Sequence, residues 1–145
     1  MAIDPGTTHS GVVYMDRGEV IAAGVDSNAD VLVQVARNPG PLAIEMIASY
    51  GMAVGKEVFE TCLWIGRFMQ AYPKPERVRL VYRQEVKMHL CKSPRAKDAN
   101  IRQALIDLYG GKAEAIGTVK KQGPLYGVKS HAWAALAVAV TAANT

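Results

Sequence analysis

What most constrains this chain is the order of its segments. Three short strand-like runs joined by tight turns fill the first 25 residues, and only then do helical patterns alternate with strands. Residues 2–4 form a first strand broken by Pro5-Gly6. Residues 11–14 form a second, and Arg17-Gly18 reads as a hairpin turn into a third over residues 19–25. Strands joined by such turns pair antiparallel, so these three predict a meander. Asp26-Ser27-Asn28 can cap a short helix over residues 30–37, with Val31, Leu32 and Val35 on one side, and Asn38-Pro39-Gly40-Pro41 stops it. Leu42-Ala43-Ile44-Glu45-Met46 is a buried strand. A helical stripe follows over residues 54–72, through Val58, Thr61, Cys62, Ile65, Phe68 and Met69, until Pro73 and Pro75. Residues 78–82 make a fifth strand. Helices are expected over residues 85–90 and 98–109, and after Ser130 over residues 131–143. The stretch 113–126 is a loop with a short strand expected at residues 115–119. Strands separated by helices return as parallel crossovers. The expectation is one α/β domain over residues 1–145, a five-stranded mixed sheet flanked by helices.

Composition narrows the function. A chain of 145 residues, half hydrophobic, can build one real core. Its longest nearly uncharged apolar run, residues 132–143, is too short to span a bilayer. No basic stretch followed by an apolar one opens the chain, so no signal peptide is expected. Cys62 and Cys91 lack metal-type spacing and suit a reducing, cytoplasmic setting. The net charge of +4 is unevenly spread. Residues 1–73 carry four basic and eight acidic side chains, and residues 74–145 carry thirteen and five. A basic second half suits either a polyanionic partner or plain solubility.

Two carboxylates stand at strand ends. Asp4 closes the first strand and Glu45 lies near the end of the fourth. Sites in such sheets form at the carboxyl ends of parallel strands. If the two strands are parallel neighbours, both side chains meet at one edge, where they repel unless a cation sits between them. Mg2+ takes one or two carboxylates plus phosphate oxygens and water, the arrangement of metal-assisted phosphodiester hydrolysis. Taken singly, Asp4 can instead cap the Pro5-Gly6 turn, and Glu45 can pair with a lysine. The backbone amides and hydroxyls of Pro5-Gly6-Thr7-Thr8 can meet a phosphate or simply bend the chain.

The segment Ala2-Ile3-Asp4-Pro5-Gly6-Thr7-Thr8-His9-Ser10-Gly11 resembles the first motif of RuvC-type Holliday junction resolvases, and Leu42-Ala43-Ile44-Glu45 their second. Glu85-Val86-Lys87 and Ala96-Lys97-Asp98-Ala99-Asn100-Ile101 resemble the stretch with their basic DNA-contacting residues. His131-Ala132-Trp133-Ala134-Ala135-Leu136-Ala137 resembles their last catalytic helix. The resemblance spans nearly the whole chain, in order, and lies nearest the phage and prophage branch. It implies an RNase H-like fold, dependence on Mg2+ or Mn2+ held by Asp4, Glu45 and His131, a homodimer, and cleavage of branched DNA such as four-way junctions. It also puts Lys87 near the scissile phosphate. One departure stands out. The family's last helix offers two metal-binding side chains three positions apart, and here His131 is followed by Ala134. An imidazole can ligate Mn2+ or accept a proton, whereas alanine can do neither. Either three ligands suffice, or a group such as Asp98 or Asn144 helps, or cleavage is lost.

Nine basic residues fall between Lys74 and Arg102 among only three acids. Of these Lys87, Lys92, Arg95 and Lys97, with Lys120, Lys121 and Lys129 beyond, are the expected phosphate contacts, which supply affinity without reading sequence. Tyr50, in the loop after Glu45, can stack on an unpaired base or pack on the core. Phe59 and Trp64 lie outside the clean stripe of residues 54–72, which suits a helix buried twice, as at a dimer interface. Three other functions compete. A sugar-kinase or actin-like ATPase also carries Asp-x-Gly-Thr-Thr, but it needs two lobes, so no nucleotide cofactor is expected. The others are an inactive DNA-binding relative and an RNase H-like nuclease for flaps or RNA–DNA hybrids.

Overall fold

A computed structural model describes all 145 residues. The strands are β1 (Ala2–Asp4), β2 (His9–Asp16), β3 (Glu19–Ser27), β4 (Ala43–Met46) and β5 (Arg79–Tyr82). The helices are α1 (Asn28–Ala36), α2 (Lys56–Ala71), α3 (Arg83–Cys91), α4 (Asp98–Leu108), α5 (Lys112–Ala115) and α6 (His131–Asn144). One sheet runs β3-β2-β1-β4-β5. β1, β2 and β3 pair antiparallel, while β1–β4 and β4–β5 are parallel. This is the mixed sheet the segment order predicts. Arg17 and Gly18 both hold positive φ, 51° and 83°, as a two-residue hairpin requires.

Strand alternation sorts the side chains onto two faces. Ala2, Val13, Ala43 and Val81 face a core shared with α3, α4 and α6. Ile3, Val12 and Ile44 face a second core, closed by α1 and α2 through Val31, Val35, Ile65 and Phe68. Asp4 and Glu45 lie two residues after Ala2 and Ala43, so both belong to the α6 face. Half of α6 is alanine, with Leu136, Val138 and Val140 buried among Ala132, Ala135 and Ala137. Small side chains let a helix axis approach a sheet closely. The approach is tightest at Gly11, where a Cβ would stand 2.2 Å from the carbonyl oxygen of His131.

Several boundaries differ from those the sequence predicts. β2 and β3 each run longer, and α1 starts at Asn28 because Ser27 caps it, its hydroxyl accepting from the Asp30 amide. α2 begins at Lys56, and Val54 lies outside it, exposed. α3 begins at Arg83, two residues early. No strand forms at residues 115–119. Instead α5 is followed by a lone antiparallel bridge between Gly117 and Gln122. The cause is close packing: the Gly123 backbone lies against the carbonyls of Glu114 and Ala115, so the chain doubles back on the helix and no ladder partner is in reach.

Candidate active site

The parallel register of β1 and β4 matches Ala2 with Ala43 and Ile3 with Ile44, which brings Asp4 beside Glu45 at the shared carboxyl edge. Both side chains are nearly withdrawn from solvent, 14% and 12% exposed. α6 opens directly above them. His131 is its first residue, and its Nδ1 lies 2.9 Å from Asp4 Oδ2. In the tautomer that donates Nδ1–H to Asp4, the ring keeps its lone pair on Nε2 for a metal ion or a proton. The turn after Asp4 is held rigid by a buried polar knot. Ser10 Oγ donates to Asn28 Oδ1 at 2.6 Å, Asn28 Nδ2 donates to the Gly6 carbonyl at 2.9 Å, and the Gly6 amide donates to Ser10 Oγ at 3.2 Å.

Electrostatics make the carboxylates a pair. Burial pushes Glu45 up to about 8, and the hydrogen bond and charge of Asp4 add to it, with Arg83 only partly offsetting the rise. Burial also raises Asp4, while the hydrogen bond from Glu45 and the charge of Arg83 pull it back. Glu45 therefore holds the shared proton at neutral pH. Two buried carboxylates sharing one proton are a donor set that a divalent cation would complete, and oxygen ligands with one imidazole suit Mg2+ or Mn2+. The donors are not gathered about one point: no group of three His, Cys, Asp or Glu side chains is arranged to hold a metal ion. A turn of Glu45 away from Arg83 would be part of any binding.

A pH dependence follows. The folded-state pKa of Glu45 lies above its ordinary value of 4.5, so its contribution to stability is complete below that value and is lost as pH rises through about 8. Metal-free protein should lose up to about 1.4 kcal/mol per pH unit from this group across that window. Mn2+ binding at pH 7 should release about one proton and tighten as pH approaches 8. Urea melts from pH 5 to 9, with calorimetry in two buffers, measure both. A flat stability profile would sink the shared proton.

The carboxylates floor a cleft of about 780 Å3. Its walls include Arg83, Asp98, Arg102, Trp133 and Ala134. Arg83 Nη1 lies 3.4 Å from Glu45 Oε1, and the same guanidinium pairs with Asp98. Arg102 stacks over Trp133, 4.6 Å from the ring centre. Of the two groups weighed as helpers, Asp98 stands in the cleft, whereas Asn144 is at the far end of α6 and bonds the Val140 carbonyl. Lys87 does not line the cleft. It is one helical turn beyond Arg83 on the same face of α3. Thr7 does not line this cleft but a separate crevice, with Glu60, Leu63, Trp64 and Arg67. Thr8 is exposed, its hydroxyl 3.1 Å from His9 Nδ1. Lys92, Arg95 and Lys97 are exposed between α3 and α4, and Lys120, Lys121 and Lys129 are exposed before α6. Tyr50 is 61% exposed and is not packed on the core. Sequence reasoning missed Arg83, Arg102 and Trp133. Arg83 carried one signal, its place directly after an expected strand, but it reaches this edge only because that strand lies parallel beside β4.

No protein-family model matches the chain, and no curated protein matches it. Solved structures do. A structure of RuvC from Thermus thermophilus aligns over 98% of this chain and 91% of that one, with a TM-score of 0.67 at 20% identity. RuvC from the same organism in complex with a Holliday junction substrate aligns over 98% and 90%, again with a TM-score of 0.67, at 22% identity. The fold is therefore that of RuvC, the RNase H-like arrangement expected from the motifs.

Proposed function

We propose that this chain is a divalent-metal-dependent endonuclease that hydrolyses phosphodiester bonds in branched DNA, four-way junctions above all. The observation that carries this reading is the Asp4–Glu45 pair at the joined ends of parallel β1 and β4, with His131 against it, in a fold it shares with RuvC. One of those RuvC structures holds a Holliday junction. Asp4 and Glu45, with His131 through Nε2, would hold Mg2+ or Mn2+. When bound, the metal supplies charge for the phosphoryl oxygens and a water activated at neutral pH. The chain's own groups do the rest. Glu45 gives up its proton, and Asp4, accepting from Nδ1–H, fixes the imidazole so that Nε2 is free for the metal. The exposed lysines and arginines around α3, α4 and the loop before α6 would hold the DNA backbone. The motif resemblance points to phage or bacterial recombination as the setting, in the cytoplasm. No helix is long and apolar enough to cross a membrane.

Incubation with a synthetic four-way junction, a flap, a duplex and an RNA–DNA hybrid in Mg2+ or Mn2+ tests this. Cutting of the junction in preference to the others is expected. Cutting of the hybrid or flap alone would move the substrate, and tight junction binding without any cutting would leave a DNA-binding protein. Ala134 favours that second reading, because no carboxylate stands there.

We also propose a homodimer through α2. Phe59 and Leu63 are 62% and 70% exposed on its outer side, beside Trp64, over which Arg67 is stacked at 4.0 Å. An apolar stripe on the solvent side of a helix suits a partner helix. Sedimentation should give a dimer, and Leu63→Glu a monomer. A monomeric wild type at tens of micromolar would exclude it.

A further inference from the structure

Beside the carboxylate pair stands a cation that the proposed machinery does not use. Arg83, the first residue of α3, reaches over Glu45 with Nη1 at 3.4 Å and is paired on its other side with Asp98, the first residue of α4. Its side chain is 34% exposed and lines the cleft. A guanidinium needed only to neutralise Glu45 would gain from being enclosed with it, yet about a third of this side chain stays open to the cleft. The other basic side chain in the cleft, Arg102, is committed to the face of Trp133.

Charge counting indicates what Arg83 is for. Asp4 and Glu45 carry at most two negative charges, which one divalent cation cancels. Arg83 then remains as an uncompensated positive charge, repelled by the metal ion from the oxygen it now holds. Asp98 is 86% exposed and therefore screened, so it steadies the guanidinium without cancelling it. Ala134, which also lines the cleft, adds no negative charge of its own. The group that fits between a metal ion and a tethered guanidinium is an anion with several oxygens, and arginine's planar fork matches phosphate bidentately.

We propose, resting on the function given above, that Arg83 is a catalytic residue whose guanidinium takes a non-bridging oxygen of the scissile phosphate, with Asp98 as its positioning residue. A donor aimed at charge that grows in the transition state raises the rate more than the affinity. In the absence of DNA and metal, the same guanidinium rests on Glu45 and competes with the metal ion for it.

The test is Arg83→Ala, Arg83→Gln and Arg83→Lys in the full chain, with Asp4→Asn alongside. Three readouts are needed: single-turnover cleavage of a four-way junction, junction affinity in EDTA, and Mn2+ affinity by calorimetry. Arg83→Ala and Arg83→Gln should slow cleavage about a hundredfold. Junction affinity should weaken less than about fivefold, as for one phosphate contact among many. Mn2+ affinity should hold or improve, because a competitor has gone. Arg83→Lys should recover less than about tenfold of the rate, since a point charge replaces a fork. Asp98→Ala should cost only a few-fold, as an exposed ion pair would. Wild-type cleavage by Arg83→Ala overturns the proposal. So does weaker Mn2+ binding and a lower melting point in step with the rate, the mark of a structural role. If the wild-type chain cuts no branched DNA, the functional reading falls and this inference with it. If the wild type cuts, Asp4→Asn does not, and Arg83→Ala cuts normally, only the inference falls.

Discussion

Asp4→Asn is expected to bind a four-way junction within about threefold of the wild type and to cut it slower by on the order of a thousandfold or more. Asparagine keeps the shape of the side chain and a carbonyl oxygen for His131 Nδ1, now 2.9 Å away. It removes the charge that a divalent ion requires. Stability should not suffer. At neutral pH Glu45 holds the shared proton, so Asp4 carries the pair's one buried charge, and neutralising it removes a desolvation cost while the asparagine oxygen still accepts from Glu45. A melting point equal to or above that of the wild type, together with lost cleavage, is the diagnostic pair. If the variant cuts at the wild-type rate, Asp4 is not a metal ligand and the site assignment fails. If it loses junction binding as well, Asp4 serves the fold or the DNA surface instead.

Gly11→Ala is the second large effect. Gly11 is paired with Asp4 across β1 and β2, and its missing side chain is where the His131 backbone sits. A Cβ there would stand 2.2 Å from the His131 carbonyl oxygen, 2.5 Å from its carbon and 3.0 Å from the Ala132 nitrogen. None of these is the yielding end of a flexible side chain, so the start of α6 must move by roughly an ångström. Overpacking of this kind costs about 1–3 kcal/mol, or a fall in melting point of roughly 5–10 °C for a domain of this size. The catalytic cost is separate, because an ångström of misplacement is worth about a hundredfold in rate. Gly24→Ala is the control: the position is on β3, two strands from β1, and a methyl group added there would meet nothing within 4 Å. A Gly11→Ala protein with unchanged melting point and cleavage would mean that α6 does not sit as close to the sheet as described.

The parts that carry the fold were legible because their causes are local. Turn residues between short apolar runs define the meander, and prolines bound the helices. Asp4 and Glu45 announced themselves as single charges closing apolar strands. What remained hidden depends on contacts between distant segments. Arg83 lay in an expected linker, and its place at the site follows from β5 lying beside β4, an order that segment patterns alone do not give. Thr7 looked like a phosphate contact beside Asp4, but it lines a crevice against α2, a packing between distant segments. The expected strand at residues 115–119 had apolar and β-branched residues enough, but a strand exists only where a partner offers its ladder, and Gly123 holds this segment against α5 instead.

The first and last elements meet at the site, with 127 positions between Asp4 and His131. During synthesis the sheet and its α1–α2 face can therefore form well before α6 leaves the ribosome. Until then Ala2, Val13, Ala43 and Val81 have no cover from that helix, and the carboxylates have no imidazole. Long-range closure of this kind is slow and leaves apolar surface open to other chains. That face of the sheet should thus stay uncovered, and the candidate site incomplete, until α6 has docked.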